Sequence, residues 1–369
     1  MDYKNLTQQE QDFLRILAEI GQITADDLPL GIWVGLDSMG PARDSKTDAL
    51  FPGMPEVLHG FTQTMAEYNL GLVVATNGPA KEAHDILAAL DRSHNPRAFG
   101  TAEGGGLIVQ FANGTLEDRV IAPQSEISDL ERLEDAIKQD SPLMKALLED
   151  TEPSDGEAPI RTPYKTNIVL TLPNQYATLQ KRLEKKGVNI ENFIPGIDVN
   201  NYINKLLDYA SSIFSAKTQE LGLAGSVGSA IVKFSNKRVY VPTRNVYDEQ
   251  SGSSAGLSKY SGVVIGSRLV DGSQFNLSNS LYVADNAIDS TQGEHAVVLG
   301  ASERSMIKNG GKQAKMAFNI TMNSDMPRME YVEGVKILNI GAGAKALEAI
   351  DFLYKALHPT VPHQRYRAA

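Results

Sequence analysis

The sequence predicts an α/β fold: a Rossmann-like parallel sheet core that carries an inserted α+β domain. Between residues 31 and 112, short and almost wholly apolar segments alternate with amphipathic segments of helical period. Apolar strands separated by amphipathic helices are typical of a parallel sheet covered on both faces. The composition then becomes acid-rich before the alternation resumes near residue 281, which predicts a second domain inserted into the first.

The elements of the first part follow from hydrophobic period and turn residues. Residues 6–28 have apolar positions at helical spacing and predict an N-terminal helix, with Gly21 as a candidate C-terminal cap. The elements predicted next are strand 32–36, helix 55–68, strand 70–75, helix 79–90 and strand 106–111.

The rest of the chain predicts an insertion and a return to the core pattern. Residues 116–157 are acid-rich and helical and end in a predicted exposed loop, 152–157, and residues 244–280 are rich in Gly and Ser. The other predicted elements are strand 167–172, helices 175–186 and 199–215, strands 226–234, 238–241, 281–284, 296–299 and 335–340, and helix 345–356. The predicted division is an N-terminal helical extension (1–29), a core (30–114 and 244–369) and an inserted domain (115–243).

Composition excludes several classes of protein. The formal net charge is −10 and no basic stripe is present, which argues against a non-specific nucleic-acid binder. The chain has no Cys, so disulfides, thiolate metal sites and cysteine nucleophiles are excluded, and its six His have no metal-ligand spacing. Residues 1–10 lack a signal-peptide pattern, and the apolar run 70–75 is too short for a bilayer. We expect a cytoplasmic protein that binds neither nucleic acid nor membrane.

Two polar sites follow predicted strands of the first half. Asp37 comes directly after strand 32–36, at the carboxyl end where ligands of open α/β sheets bind. Thr76 and Asn77 follow strand 70–75 and precede a helix, whose N-terminal N–H groups attract phosphate. Plainer roles also suit these residues, because aspartate often caps a turn and Thr-Asn-Gly is a common turn sequence.

Two further polar sites lie in the second half. Lys259 offers a point charge to a phosphate, and Asp285 and Asp289 follow strand 281–284. Carboxylate oxygens that converge with Asp37 would suit Mg²⁺ bound beside a phosphate. The alternatives are a solvated lysine between Gly and Ser residues, and acids favoured by a helix dipole.

In this order the motifs resemble those of the haloacid dehalogenase-like superfamily over about residues 30–356. The segment 102–106 (Ala-Glu-Gly-Gly-Gly) is similar to the Glu-Asn-Gly-Ala segment that precedes the cap in sugar-phosphate members. The segment 295–301 (His-Ala-Val-Val-Leu-Gly-Ala) is similar to the strand after the acidic motif. The insertion resembles a C2-type cap domain of that superfamily.

The resemblance implies a role for each candidate residue. Asp37 would attack phosphorus and form an aspartyl-phosphate, while Thr76, Asn77 and Lys259 would bind the transferring phosphoryl group. The implied ligands of Mg²⁺ are Asp37, the backbone carbonyl of Met39, and Asp285 or Asp289. The implied partner is a small phosphorylated metabolite, and a sugar phosphate is favoured.

Two positions depart from the family pattern. Met39 replaces the acid that protonates the leaving oxygen, a contribution typically of about 10²–10⁴-fold. Ala284 replaces the usual Gly before Asp285, and Asp44 is the nearest alternative acid. The sequence therefore supports two hypotheses: a Mg²⁺-dependent phosphatase, or a hydrolytically inactive binding or scaffolding protein of the same fold.

Two weaker patterns point elsewhere. Residues 341–346 (Gly-Ala-Gly-Ala-Lys-Ala) resemble half of a dinucleotide-binding turn, but the final Gly and the later acid are missing. Close packing of a strand on a helix explains them better than an NAD-dependent oxidoreductase does. Residues 7–24 resemble the opening helices of a winged helix-turn-helix, without a basic recognition helix.

Overall fold

The structure, a computed structural model, describes residues 4–38, 42–44, 49–150, 165–233, 237–249, 251–272, 275–285, 287–289, 298–299, 304–321, 327–341 and 344–359. Its helices are α1 (Gln8–Glu19), α2 (Met54–Tyr68), α3 (Ala80–Ala88), α4 (Gln124–Asp140), α5 (Pro142–Leu148), α6 (Tyr176–Lys185), α7 (Tyr202–Glu220), α8 (Lys259–Asp271), α9 (Arg304–Ile307) and α10 (Lys345–Leu357). Among these described helices, none combines the length and the apolar character that a membrane crossing requires.

The strands are β1 (Trp33–Asp37), β2 (Arg43–Asp44), β3 (Ala49–Leu50), β4 (Gly71–Ala75), β5 (Ala98–Ala102), β6 (Leu107–Ala112), β7 (Thr115–Val120), β8 (Asn167–Thr171), β9 (Ile231–Lys233), β10 (Arg238–Pro242), β11 (Asn245–Asp248), β12 (Ser253–Gly256), β13 (Ser280–Ala284), β14 (Ile288–Asp289), β15 (Val298–Leu299), β16 (Lys308–Asn309), β17 (Lys312–Gln313), β18 (Met316–Thr321), β19 (Arg328–Val332) and β20 (Val335–Gly341).

Within the described residues, nine strands form one sheet in the order β19-β20-β18-β13-β1-β4-β5-β6-β7. The six strands from β20 to β5 are parallel, while β19 and β6 pair antiparallel with the two ends of that set. Numbered along the chain, the six parallel strands have the order 3-2-1-4-5-6 of a doubly wound Rossmann sheet. The α/β, Rossmann-like fold predicted from the sequence is therefore confirmed.

The chain divides into two compact units. The first contains the described residues of 4–119 and 258–359, and the second contains the described residues of 120–257. The second unit has its own core, in which Leu133, Leu170 and Leu206 are almost fully buried on a helix, a strand and another helix. A three-stranded antiparallel sheet of order β8-β10-β9 belongs to this unit.

The ends of the second unit differ from the predicted inserted segment, 115–243. Residues 115–119 group with the first unit, and residues 244–257 group with the second. The latter contain the β11–β12 hairpin, where the Tyr247 N–H donates to the Ile121 carbonyl at 2.8 Å. Composition placed the end of the inserted segment at residue 243. The hydrogen bond between this hairpin and Ile121 instead links residues 244–257 to the second unit.

The N-terminal segment is anchored on α10 by one buried carboxylate. Glu348 accepts hydrogen bonds from the backbone N–H groups of Lys4, Asn5 and Leu6, and from the Asn5 amide. The Glu348 side chain is fully buried, so these donors replace the water that its charge would otherwise need. Residues 4–6, which precede α1, are therefore part of the first unit.

The predicted N-terminal helix 6–28 is too long. Helix α1 ends at Glu19 because Gly21 adopts a left-handed φ of 73°, the conformation that closes helices. Ile23 and Leu28 are fully buried although they lie beyond the helix. Their apolar character reflects packing, which the periodic pattern could not separate from continued helix.

Two other differences concern the second half of the first unit. The segment 244–280 was predicted only as Gly- and Ser-rich, but it contains α8. The described part of the predicted strand 296–299, which is β15, pairs antiparallel with β14 and does not join the main sheet. The strand next to β13 in the main sheet is instead β18, which the sequence analysis did not predict.

Candidate active site

Asp37 lies at the point where the strand order of the sheet reverses. Its strand, β1, has β4 on one side and β13 on the other, and the chain winds outward in both directions from there. Ligands of open α/β sheets bind in the crevice beyond the carboxyl ends of the strands at such a point. Asp37 is the last residue of β1 and is 7% exposed, so its carboxylate is held at this edge in a largely buried position.

The structure brings Lys259 to Asp37, although 222 residues separate them along the chain. The Lys259 Nζ lies 3.1 Å from Asp37 Oδ1, and the Ser38 N–H donates to the same oxygen at 3.0 Å. Lys259 is 5% exposed, so the pair is almost removed from water. A buried charge is tolerated when it is paired and hydrogen-bonded, as here.

Helix α8 places Lys259 through an unusually close approach to the turn that follows β5. Ser258 caps the helix by accepting the Ser261 N–H, so Lys259 is the first helical residue. A methyl group at Gly262 would lie 2.8 Å from the Cα of Gly105, in the 3-10 turn Glu103–Gly105. A methyl group at Gly105 would overlap the carbonyl oxygen of Ser258. The two glycines therefore let the start of α8 lie against the backbone of this turn.

We expect Gly105→Ala to displace Lys259 and to destabilise the protein by about 2–4 kcal/mol. Gly105 has a φ of 104°, and the added methyl group would overlap Ser258. Gly53→Ala is a matched control, because Gly53 has a φ of 79° but no atom within 4 Å of the methyl position. Denaturant unfolding of both variants separates overlap from backbone strain; equal losses would contradict the predicted role of the close approach.

Thr76 begins the turn after β4, beside the end of β1. Its N–H donates to the Thr101 carbonyl at 2.9 Å, and its Oγ1 accepts the Gly78 N–H at 2.8 Å. The Thr76 hydroxyl donates to Glu82 Oε2 at 2.5 Å, and Asn77 is half-buried in the same turn. The structure thus places Thr76 and Asn77 at the predicted edge, with the Thr76 hydroxyl bonded to α3.

Glu82 is a site residue that the sequence analysis missed. Its Oε2 accepts hydrogen bonds from the Ser38 and Thr76 hydroxyls, each at 2.5 Å, and the residue is 2% exposed. An acid in the first turn of a helix is common because the dipole favours it. The sequence positions of Ser38, Thr76 and Glu82 therefore gave no sign of this contact, which depends on the pairing of β1 with β4.

The metal ligands implied by the sequence are only partly described. The structure places half-buried Asp285 directly after β13, the strand that pairs in register with β1. Among the described residues, no cluster of three or more His, Cys, Asp or Glu side chains suits a metal. Outside the described residues lie Met39, the loop 152–157, residues 342–343 of the glycine turn, and the side chains of Asp44 and Asp289. Asp37 and Asp285 are hard oxygen donors at neighbouring strand ends, so the donors present fit Mg²⁺ chemically.

Two buried amides extend the polar edge of the sheet. The Asn319 amide of β18 donates to Asn339 Oδ1 of β20 at 2.7 Å, and each residue is 4% exposed. Asn319 pairs in register with Ala284, the residue before Asp285. The sequence analysis did not name Asn319 because it did not predict β18.

No protein-family model matches the chain, and no curated protein matches it in sequence. Several solved structures are similar. A haloacid dehalogenase-like hydrolase from Bacteroides thetaiotaomicron is 13% identical, with a TM-score of 0.42, over 87% of this chain and 98% of the other. Trehalose-6-phosphate phosphatase from Aspergillus fumigatus is 11% identical, with a TM-score of 0.44, over 90% of this chain and 95% of the other.

The IMP-nucleotidase of Plasmodium falciparum, solved with bound IMP, is 12% identical with a TM-score of 0.38. The match covers 71% of this chain, which spans about three fifths of that protein (62%). Because these similarities are low, the assignment of the fold rests on the strand order of the chain itself. The chain is a Rossmann-like α/β protein with a buried aspartate–lysine pair where its strand order reverses.

Proposed function

We propose that the chain is a Mg²⁺-dependent phosphatase that acts on a small phosphorylated metabolite through an aspartyl-phosphate at Asp37. The observation that carries the proposal is the buried contact of 3.1 Å between Asp37 Oδ1 and Lys259 Nζ at the reversal point of the sheet. A carboxylate held beside a fixed cation suits attack on phosphorus, because the cation offsets charge that develops on the phosphoryl oxygens.

The chain's own residues account for most of the reaction. A carboxylate oxygen of Asp37 forms a bond to phosphorus while the ester bond breaks, and the leaving oxygen takes that electron pair. The Lys259 ammonium and the N–H groups of the turn before α3 then hold the phosphoryl oxygens. Water hydrolyses the acyl phosphate and restores Asp37. Bound Mg²⁺, held by Asp37 and Asp285, would neutralise phosphate charge.

Met39 determines which substrates suit this site. Without an acid after Asp37, the leaving oxygen departs as an anion unless water protonates it. Aryl and acyl phosphates have leaving groups that need little protonation, whereas alkyl phosphates need it, and general acid help is worth about 10²–10⁴-fold. A sugar phosphate, which the resemblance of residues 102–106 favours, is therefore turned over slowly unless its leaving group is the anomeric oxygen or an acyl group.

The test compares acetyl phosphate, an aryl phosphate and an alkyl sugar phosphate, each with Mg²⁺ and with chelator. We expect turnover of the first two with Mg²⁺, and little turnover of the third. Met39→Asp should raise the alkyl rate about 10²-fold or more, because it supplies the missing acid, and should change the acyl rate little. Met39→Asn is the matched control, since it adds a polar group without an acid. If none of the three substrates is turned over, the proposed phosphatase function is wrong.

The second candidate function is a hydrolytically inactive protein that binds a phosphorylated metabolite. The observation that favours it is again Met39, because the remaining anion-binding groups do not depend on an acid. Tight phosphate binding by calorimetry without turnover, and no gain in Met39→Asp, would establish this function instead. We also propose that the second unit serves as the cap domain of the phosphatase.

A further inference from the structure

One carboxylate oxygen joins the ends of two neighbouring strands at the candidate site. Glu82 Oε2 accepts the hydroxyl of Ser38, which follows β1, and the hydroxyl of Thr76, which follows β4. Both hydrogen bonds are 2.5 Å long, at the short end for a hydroxyl bonded to a carboxylate. Glu82 thereby connects the turn after Asp37 to the turn that precedes α3.

A buried carboxylate is an unexpected neighbour for a site that binds phosphate. Glu82 is 2% exposed, so its negative charge is screened little by water. It is not the N-cap of α3, a position that Pro79 occupies without a side-chain hydrogen bond. Gly78 leaves the space for it, because a methyl group there would overlap the Glu82 carboxylate. Gly78 thus leaves room for the buried Glu82 carboxylate, whose described partners include the hydroxyls of Ser38 and Thr76.

The hydrogen-bond directions decide what these hydroxyls can do. Thr76 Oγ1 donates its proton to Glu82 and accepts the Gly78 N–H. A hydroxyl has one proton, so the Thr76 side chain has none left to donate to a phosphoryl oxygen. The Ser38 hydroxyl likewise donates its proton to Glu82, while the Ser38 N–H donates to Asp37 Oδ1.

We infer that Glu82 is a positioning residue: it fixes the Asp37 turn by holding the Ser38 and Thr76 hydroxyls, and it leaves phosphoryl oxygens to backbone N–H groups and Lys259. This inference rests on the proposed phosphatase function. The sequence resemblance gives Thr76 a different role, because it implies that the Thr76 hydroxyl binds the phosphoryl group directly.

The decisive measurement is binding of inorganic phosphate to Thr76→Val by calorimetry, together with kcat on acetyl phosphate. A positioning role predicts a phosphate Kd within about twofold of wild type and a kcat reduced about 10–100-fold, because the Asp37 turn loses its tether. A direct ligand role predicts a phosphate Kd raised about tenfold, the usual effect of losing a charge-assisted hydrogen bond. That outcome would overturn the inference.

Glu82→Gln tests the carboxylate itself. The charge is lost, and the amide oxygen accepts the two hydroxyl hydrogen bonds more weakly than the carboxylate does. We therefore expect phosphate to bind as tightly as in wild type or more tightly while kcat falls about 10–100-fold. Glu56→Gln is the matched control, because Glu56 occupies the same third position of α2 and is exposed. Its kcat and phosphate Kd should match wild type. Equal kcat values in both variants would contradict the inference.

A stability cycle of Glu82→Gln, Thr76→Val and the double variant gives a result that does not depend on activity. If Glu82 holds Thr76, the two changes are non-additive by about tenfold in the unfolding equilibrium constant. Additive changes would contradict the hydroxyl contact. If the wild type is inactive but still shows this coupling, the proposed phosphatase function is wrong and the Glu82 contact is established. If Glu82→Gln does not fold, Ser38→Ala takes its place in the cycle.

Discussion

We expect Asp37→Asn to abolish turnover of acetyl and aryl phosphates, with a loss of about 10³-fold or more, and to form no phosphorylated enzyme. The amide has the shape of the carboxylate, but it is a poor nucleophile and cannot give the acyl phosphate. Its oxygen still accepts the Ser38 N–H, so the turn after β1 keeps this hydrogen bond, which is 3.0 Å long in the native site.

The measurement combines initial rates with detection of a hydroxylamine-labile phosphopeptide that contains residue 37. Asp12→Asn is the control, because Asp12 is an exposed acid on α1 that pairs with Arg15. It should retain the wild-type rate. If Asp37→Asn keeps more than about a tenth of the wild-type turnover, a covalent intermediate at Asp37 is wrong.

We expect Lys259→Met to lower the free energy of unfolding by about 3 kcal/mol, in addition to removing the proposed turnover. The side chains of Lys259 and Asp37 are only 4% and 10% exposed, so loss of the cation leaves a carboxylate in a poorly hydrated place. The methionine fills a volume similar to that of the lysine stem, which keeps the cavity term small.

Urea unfolding of the double variant, Asp37→Asn with Lys259→Met, identifies the cause. When both charges are absent, no charge remains buried without its partner, so we expect the double variant to be more stable than Lys259→Met alone. A double variant that loses the sum of the two single effects would show that packing, and not the charge pair, explains the loss.

The strands with continuous apolar runs were predictable from the sequence. The predicted strand 32–36 corresponds to β1, and 70–75 corresponds to β4, because buried parallel strands need apolar residues on both faces. Strand β5 was not predicted, since its sequence Ala-Phe-Gly-Thr-Ala lacks such a run. It is a strand because it pairs with β4 and β6, which no local pattern contains.

Some residues of the candidate site were likewise predictable from the sequence, and others were not. Asp37 and Asp285 could be predicted as site residues because each comes at the end of a recognisable strand, and strand ends meet at one edge of a parallel sheet. Lys259 was named without its helix, because Gly and Ser residues concealed the pattern of α8. Packing of Gly262 against Gly105 makes those small residues favourable there, and this close approach is a tertiary property.

By itself, the sequence determined the α/β class, the strands that bring Asp37 and Asp285 to an edge, and the methionine at position 39, where the resemblance implies an acid. These follow from local hydrophobic period and from residue identity. Only the tertiary structure decided that Lys259 contacts Asp37 and that Glu82 accepts a hydrogen bond from the Thr76 hydroxyl. The physical reason is that Lys259 and Asp37 lie far apart in the chain, and that packing orients the Glu82 and Thr76 side chains toward each other. The donor and acceptor of each hydrogen bond depend on this geometry.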